Sequence, residues 1–200
     1  MLLDEAISGR RSIRHFARRA VPPALVREIV AAACLAPAPH HTHPWRFVAL
    51  RAAEAKQRLA EAMGQAWRRD LEADGVPAER IQALLSRSRK RLSQAPVLLL
   101  ACIVADGARR WPDQRRRAAE RQMFGHSLGA ALQNLMLAAH ARGLGTCWLS
   151  APLFCPQAVR RAVDLPADFQ AQALIALGYP KPGLALPPRP PLTVGEHIIE

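Results

Sequence analysis

The chain has 200 residues, of which 50% are hydrophobic and 22% are charged, and this composition is that of a globular protein rather than a disordered one. At this length one core buries about 70% of the surface of the unfolded chain, which excludes a miniprotein that depends on disulfides or a structural metal. The net charge of +12 comes almost entirely from arginine, because only three of the 28 basic residues are lysines. Such a charge attracts phosphates, polycarboxylates or nucleic acid, although a solvated arginine-rich surface would have the same composition.

The apolar runs are too short for a membrane span. The longest covers residues 97–105, whereas a spanning helix needs about 20 apolar residues, and the N-terminus carries Asp4 and Glu5 instead of a basic flank. We therefore expect a cytoplasmic protein that does not contact membranes. No C-x-x-C pair is present, so we expect buried thiols rather than zinc ligands or disulfides at Cys34, Cys102, Cys147 and Cys155.

In the first half of the chain, the hydrophobic pattern predicts a helix, a strand and two further helices. Apolar residues recur every three or four positions over 23–35, between Pro22 and Pro37, which predicts an amphipathic helix. Residues 45–50 have the pattern of a strand. The charged, alanine-rich stretch 52–93 is broken at 74–77, which predicts two helices joined by a turn.

The second half is organised around a buried strand and a long apolar helix. Residues 97–104 are aliphatic throughout, which is typical of a central strand covered by helices on both faces. The segment 117–142 has so little polar surface that we expect its helix to be buried on nearly all sides, with a partner subunit as one possible cover. Two more strands (146–149 and 171–177), a short helix (156–163) and a proline-rich arm (181–200) complete a single domain spanning 1–200.

Four segments contain side chains suited to binding or catalysis. The first is Gly9 to Arg14, in which the guanidinium groups of Arg10, Arg11 and Arg14 and the hydroxyl of Ser12 suit phosphate oxygens. The second, 36–45, holds His40, His41 and His43 among prolines, which predict an extended segment. Because no Asp or Glu accompanies the histidines, and because His40 and His41 would point apart in an extended segment, we expect a ligand-contacting surface and no metal site.

The other two segments are weaker signals when taken alone. Gly143 and Gly145 let the backbone of 143–148 approach another group closely, but the spacing is not that of a dinucleotide-binding motif. Arg189 is held between prolines in the C-terminal arm. Each pattern also occurs in ordinary loops, so their order along the chain is the more informative observation.

In that order, the segments resemble the FMN-dependent nitroreductase family over essentially the whole chain. The matching motifs are an R-x-S-x-R opening (10–14), a proline segment ending in Pro-Trp (37–45), a helix with A-x-Q-N (131–134), G-L-G-T-C-W (143–148), L-G-Y-P (177–180) and a final arginine followed by P-L (189–192). The resemblance implies an α+β nitroreductase-like fold: a central mixed, mainly antiparallel sheet flanked by helices, in an intertwined homodimer with a long central helix.

The resemblance also implies roles for individual residues around FMN, the expected cofactor. Arg10, Ser12 and Arg189 match residues that bind the FMN phosphate, with Arg11 close by, and Arg14 matches the basic residue at the N1/C2=O edge of the flavin. The part that reaches the flavin from the other subunit corresponds to Ala38, Pro39, His40 and His41. The backbone expected beside N5 of the flavin corresponds to Gly145, Thr146, Cys147 and Trp148.

Departures from the common pattern indicate a subgroup and its substrate. Ala38, Pro39 and His41 replace the usual serines and asparagine, and the form A-P-A-P-H-H-T-x-P-W is closest to the reductase domain of coenzyme F-420 biosynthesis. This implies reduction of the dehydro precursor of F-420, an anionic deazaflavin. Its candidate contacts are His40, His41, Arg87, Arg89, Lys90 and Arg91. The alternatives are a general NAD(P)H-dependent nitroreductase or quinone reductase, and a non-catalytic flavin-binding protein. Nucleic-acid binding is not expected, because the arginines are scattered and aromatic residues are few.

Overall fold

The computed structural model describes residues 1–105 and 107–199. In these residues the helices longer than one turn are α1 (Leu3–Gly9), α2 (Pro23–Ala33), α3 (Ala53–Ala73), α4 (Ala78–Ser93), α5 (Gln114–Ala141) and α6 (Pro156–Ala162). The strands are β1 (Trp45–Leu50), β2 (Val97–Val104), β3 (Gly145–Leu149) and β4 (Phe169–Gly178). Every helix and strand predicted from the sequence is present, with bounds shifted by three residues or fewer.

Local sequence signals account for the element ends. The helix α2 begins at Pro23, a residue whose fixed φ suits the first helical position. Asp113 caps α5, because its Oδ1 accepts a hydrogen bond from the backbone N–H of Arg116 at 2.8 Å. The turn between α3 and α4 contains Gly75, whose φ of 71° is strained for other residues.

The four strands form one sheet in the order β1-β2-β4-β3, and each neighbouring pair is antiparallel. All eight residues of β2 are buried, because one face of the sheet packs on α2 and α5 and the other on α3 and α6. This three-layer arrangement confirms the predicted α+β fold. Parallel pairing is confined, in the described part of the chain, to a single bridge between Ser12 and Thr146.

The helix α5 is less enclosed than the sequence indicated. In its C-terminal half, residues 127–140, every side chain is buried or half-buried, whereas several positions between 114 and 126 are exposed. In the described structure the first buried residue of α5 is Phe124, and the part before it carries the arginines Arg115, Arg116 and Arg117.

Both ends of the chain meet beside β3. The backbone N–H of Ile13 donates to Thr146 O at 2.8 Å, which aligns the segment 10–14 with this edge strand. The next residues follow the end of β4, since Ala17 N–H donates to Tyr179 O at 2.8 Å and Lys181 N–H donates to His15 O at 3.0 Å. The proline-rich arm then returns to the loop after α1, so residues near 10 and near 189 lie side by side.

Candidate active site

Three arginines gather where the C-terminal arm meets the loop after α1. The guanidinium of Arg189 donates to the carbonyl oxygens of Ile7 and Arg10, and that of Arg11 donates to Pro187 O. Carbonyl oxygens hold these side chains in place but do not neutralise them. Together with Arg10, these residues are termed the arginine cluster below.

Arg10 provides the main evidence that the cluster suits an anion. Its Nε is buried and has no hydrogen-bond partner in the described structure. Burial, then the charge of Arg189 and then that of Arg11 lower the pKa of Arg10, which means that its positive charge is energetically unfavourable there. None of the described residues lining the adjoining cavity of about 520 Å³ is acidic. A phosphate would supply the missing acceptor and the missing negative charge.

A close contact at Gly145 sets the position of this cluster. A Cβ added to Gly145 would lie 2.6 Å from Cβ of Ile13, so only glycine lets the segment 10–14 approach β3. The close approach predicted at Gly145 is therefore present, and the group that approaches its backbone is the side chain of Ile13. Gly145 and Thr146 nevertheless line the cavity beside Arg10 and Arg11.

The other two residues of the G-L-G-T-C-W motif face different surroundings. Cys147 is 1% exposed and belongs to the core on the α3 and α6 side of the sheet, so its side chain is not available to a ligand. Trp148 is 38% exposed, and its Nε1–H donates to Ser150 Oγ at 3.0 Å. Of this pair, only the tryptophan can present a ring to a ligand.

Arg14 lies apart from the arginine cluster, in a large basic groove. The groove, of about 1170 Å³, lies between the segment 14–20 and the end of α4. Lys181 lines both this groove and the cavity beside the arginine cluster, so the two spaces are neighbours. Of the four candidate anion contacts on α4, the groove includes Arg87, Lys90 and Arg91, while Arg89 lies outside it.

An apolar cavity of about 720 Å³ adjoins the groove. Arg87 and Arg91 line both spaces, and the remaining lining includes the apolar side chains of Trp67, Leu149 and Phe154. Phe154 is 83% exposed and Trp67 is 38% exposed, so the cavity presents uncovered aromatic surface. Its volume and its mainly apolar lining, which also includes Asp70, suit a flat, largely apolar ring.

The histidine segment is turned rather than extended. The sequence analysis treated 38–43 as an extended prolyl stretch, but Pro39–His41 forms a 3-10 turn in which His40 and His41 have φ values of 51° and 54°. Thr42 stabilises the turn, because its Oγ1–H donates to Pro39 O at 2.9 Å. His40, His41 and His43 are all exposed, and His43 packs edge-on against Trp45 with ring centroids 5.5 Å apart.

This segment lies far from the arginine cluster of the same chain. It leads into β1, whereas the cluster borders β3 at the opposite edge of the sheet, about 14 Å away at the usual strand spacing. The two sites also lie at different heights along the sheet. Trp45, at the start of β1, is level with Gln170 in β4, whereas Gly145, at the start of β3, pairs with Gly178 at the end of β4. The distance from Gln170 to Gly178 along β4 adds about 27 Å to the separation. One chain therefore does not bring its histidines to its own arginine cluster.

The cysteines and possible metal ligands add no reactive centre. All four cysteines are free; Cys102 and Cys147 are buried, while Cys34 and Cys155 are half-buried. Burial raises the pKa of Cys102 to about 11, so its thiol stays protonated at neutral pH. Within the described ranges, no three His, Cys, Asp or Glu side chains are grouped closely enough to hold a metal ion. None of the described helices is both long enough and apolar enough to span a bilayer.

Three cavity-lining residues, Lys56, Ser150 and Lys181, were not predicted as site residues from the sequence. Ser150 lines the apolar cavity, Lys56 lines the basic groove, and Lys181 lines both the groove and the cavity beside the arginine cluster. One signal was available for the lysines: in a chain dominated by arginine, there are only three, and all of them, Lys56, Lys90 and Lys181, line the basic groove. Their convergence became visible only once α3, α4 and the end of β4 were placed together.

Comparisons with known proteins agree on one family. The model of the nitroreductase family matches residues 7–179. A 5,6-dimethylbenzimidazole synthase from Rhodospirillum rubrum is 31% identical over 187 residues, which cover 90% of this chain and 82% of the relative.

Solved structures share the fold. A BluB-like flavoprotein from Clostridium difficile 630 superposes with a TM-score of 0.80 at 23% identity, covering 100% of this chain and 99% of its own. The NADPH:FMN oxidoreductase of Vibrio harveyi, solved with NAD+, gives a TM-score of 0.71 at 20% identity, covering 98% of this chain and 76% of its own.

Proposed function

The chain belongs to the nitroreductase family of flavin-dependent oxidoreductases, and from this premise we propose that it binds FMN and reduces a small anionic acceptor. The first candidate for the acceptor is the dehydro precursor of the deazaflavin coenzyme F-420. The observation that carries the proposal is the arginine cluster, in which the buried Nε of Arg10 lacks a partner and the cavity lined by Arg10 and Arg11 has no acidic residue among its described lining. The phosphate of FMN supplies what this cluster lacks.

The residues present fit FMN along a connected set of spaces. Arg10, Arg11 and Arg189 would hold the phosphate, and Arg14 would carry a positive charge at the N1/C2=O edge of the ring. When bound, FMN supplies a two-electron carrier that the side chains of the protein do not provide. A fixed guanidinium at that edge stabilises negative charge there, because it needs no reorganisation when the charge appears.

The anionic acceptor is supported by what lies next to Arg14. The basic groove attracts a charged substrate, and the apolar cavity beyond Arg87 and Arg91 suits a flat ring. The dehydro precursor has both parts: a deazaflavin ring, and a phosphodiester with a carboxylate. The histidines of the 38–43 segment add hydrogen-bonding groups, which we assign to the acceptor.

We further propose a homodimer in which each site takes residues from both chains. The distance between the arginine cluster and the histidine segment of one chain means that the two can border the same flavin only if they come from different chains. Exposed apolar side chains at both ends of the chain offer a surface for this association; they include Leu2, Leu3, Leu192 and Ile199.

The test is a pair of anaerobic measurements. The purified protein is first titrated with FMN, and we expect one FMN per chain with flavin absorption near 370 and 450 nm, values general to oxidised flavins. The protein is then reduced with dithionite and mixed with either the dehydro precursor or nitrofurazone. Faster reoxidation by the precursor is expected. Faster reoxidation by nitrofurazone would favour a general nitroreductase, and no reoxidation by either compound would favour a non-catalytic flavin-binding protein.

A second candidate function comes from the Rhodospirillum relative. Its 31% identity over most of both chains is a specific reason to consider formation of 5,6-dimethylbenzimidazole, whose dimethylbenzene ring is also present in FMN. The reduced, FMN-loaded protein is exposed to air, and the products are separated by chromatography. The appearance of 5,6-dimethylbenzimidazole would favour this second function, whereas recovery of intact FMN would favour the first.

A further inference from the structure

The basic groove has more positive charges than the negative groups of FMN would pair with. Eight of its seventeen lining residues are lysine or arginine, and none of these lining residues is acidic. The arginine cluster accounts for the phosphate of FMN, and Arg14 accounts for the edge of its ring. Of the other seven, Arg19 lies over the ring of Tyr179, 3.8 Å from its centroid. The remaining six have no assigned negative partner: Arg18, Lys56, Arg87, Lys90, Arg91 and Lys181.

Three arginines elsewhere on the surface are paired with carboxylates. Arg68 pairs with Glu72, Arg116 with Asp113, and Arg142 with Glu28. In the described part of the chain, no groove cation takes part in such an ion pair. Lys90 and Arg91 do stabilise the C-terminal end of α4, but that effect does not explain the further cations that face them across the groove.

Lys56 gives the strongest evidence that the groove is an anion-binding site. It is 6% exposed, and its Nζ donates to Ala95 O at 2.7 Å. A carbonyl uses one of the three N–H donors and carries no negative charge, so this ammonium is buried without a counter-ion. Burial lowers the pKa of Lys56, which means that the charge destabilises the folded protein unless an anion is present.

The backbone segments that carry the groove cations are joined by hydrogen bonds and helix packing. The segment 14–20 is tied to the end of β4 by the hydrogen bonds of Ala17 and Lys181, and α4 packs on α3. All three lysines of the chain converge here. The compact ammonium group of lysine interacts with phosphate as a point charge, whereas arginine needs a planar, two-point contact.

We propose that the basic groove is a second anion site, separate from the arginine cluster, that holds a phosphate group of a reactant whose ring lies in the adjoining apolar cavity. This inference rests on the proposed function, because it assumes that FMN occupies the arginine cluster. Two reactants have the required chemistry: an acceptor with a phosphodiester, such as the dehydro precursor, and a phosphorylated donor such as NADPH.

A binding experiment tests the site without any turnover. Pyrophosphate is titrated into the FMN-loaded protein by calorimetry, so that the arginine cluster is already occupied. We expect Lys90→Gln to weaken pyrophosphate binding about tenfold, which is the loss of one charge-assisted contact. Lys90→Arg should retain most of the affinity. Arg89→Gln is the matched control, since it removes a charge from the neighbouring position outside the groove and should change binding less than twofold.

Kinetic measurements identify which reactant places its phosphate in the groove. Flavin reduction is followed with NADH and NADPH, and reoxidation with nitrofurazone and the dehydro precursor, in the same three variants. If the groove holds the acceptor, Lys90→Gln should raise the apparent dissociation constant of the precursor alone. If it holds the donor, Lys90→Gln should raise that of NADPH: an equal rise for NADH assigns the contact to the diphosphate that both donors carry, and no rise for NADH assigns it to the additional phosphate of NADPH. Equal pyrophosphate binding by Lys90→Gln and Arg89→Gln would overturn the proposal. If the protein proves redox-inactive, the proposed function fails, but the calorimetric comparison still decides whether the groove binds phosphate.

Discussion

Arg10 lowers the stability of the cofactor-free protein in a position that suits the binding of an anion. Its guanidinium is buried beside two others, and its Nε has no partner, so the folded chain carries an unfavourable charge until an anion arrives. The residue type and its place in R-x-S-x-R were legible in the sequence. The burial of Nε was not, because it depends on the arm of residues 187–189 folding over the loop after α1.

We therefore expect opposite effects of Arg10→Ala on cofactor binding and on the stability of the cofactor-free protein. FMN affinity, measured by quenching of flavin fluorescence, should fall by about 1.5 to 3 kcal/mol, since a charge-assisted phosphate contact is lost. The melting temperature of the cofactor-free protein should stay equal or rise. Arg80→Ala, on the exposed face of α4, is the control and should leave both values unchanged. A variant that retains FMN as tightly as the wild type would contradict the assignment of Arg10.

At the scale of elements, the strands and helices were predictable but their arrangement was not. The aliphatic run of β2 and the three- and four-residue periodicity of α2 depend on burial patterns that are local in sequence. The order β1-β2-β4-β3 depends on contacts between distant segments, and so does the pairing of residues 12 and 13 with β3. The turned histidine segment was missed because positive φ at His40 and His41 is uncommon for non-glycine residues.

The contact between the segment 10–14 and β3 predicts that Gly145→Ala is damaging in two ways. The new Cβ would lie 2.6 Å from Ile13, so the segment must move away from the strand. We expect a loss of about 1 to 3 kcal/mol in the free energy of unfolding in urea, together with weaker FMN retention. Gly64→Ala is the control: in the middle of α3, the added Cβ meets only Leu85 at 3.9 Å, and stability should rise by up to about 1 kcal/mol.

The exposed histidine turn predicts a different kind of defect. His41→Ala should leave FMN bound, because the arginine cluster is intact, but should slow reoxidation of the reduced protein by the acceptor in anaerobic stopped-flow measurements. His126→Ala removes an exposed histidine from α5 and should change neither property. Loss of FMN from the His41 variant would mean that this segment holds the cofactor rather than the acceptor.

For the whole molecule, the separation of the two halves of the site across the sheet predicts complementation between variants. A chain with Arg10→Ala and a chain with His41→Ala are unfolded together, refolded and assayed. Random pairing makes half of the dimers mixed, and in a mixed dimer one of the two sites carries neither substitution. We expect about a quarter of the wild-type reoxidation rate, above the rate of either variant refolded alone. A mixture no faster than the average of the two variants would show that each chain builds its own site.

Arg189 donates a hydrogen bond to the backbone of Arg10, although the two residues lie almost 180 positions apart in the sequence. In the phosphate site that we propose, the ribosome would therefore make one half long before the other. A nascent chain that stops short of residue 189 would be unable to retain FMN, so we expect loading of the cofactor to follow synthesis of the proline-rich arm and its folding back onto the loop after α1.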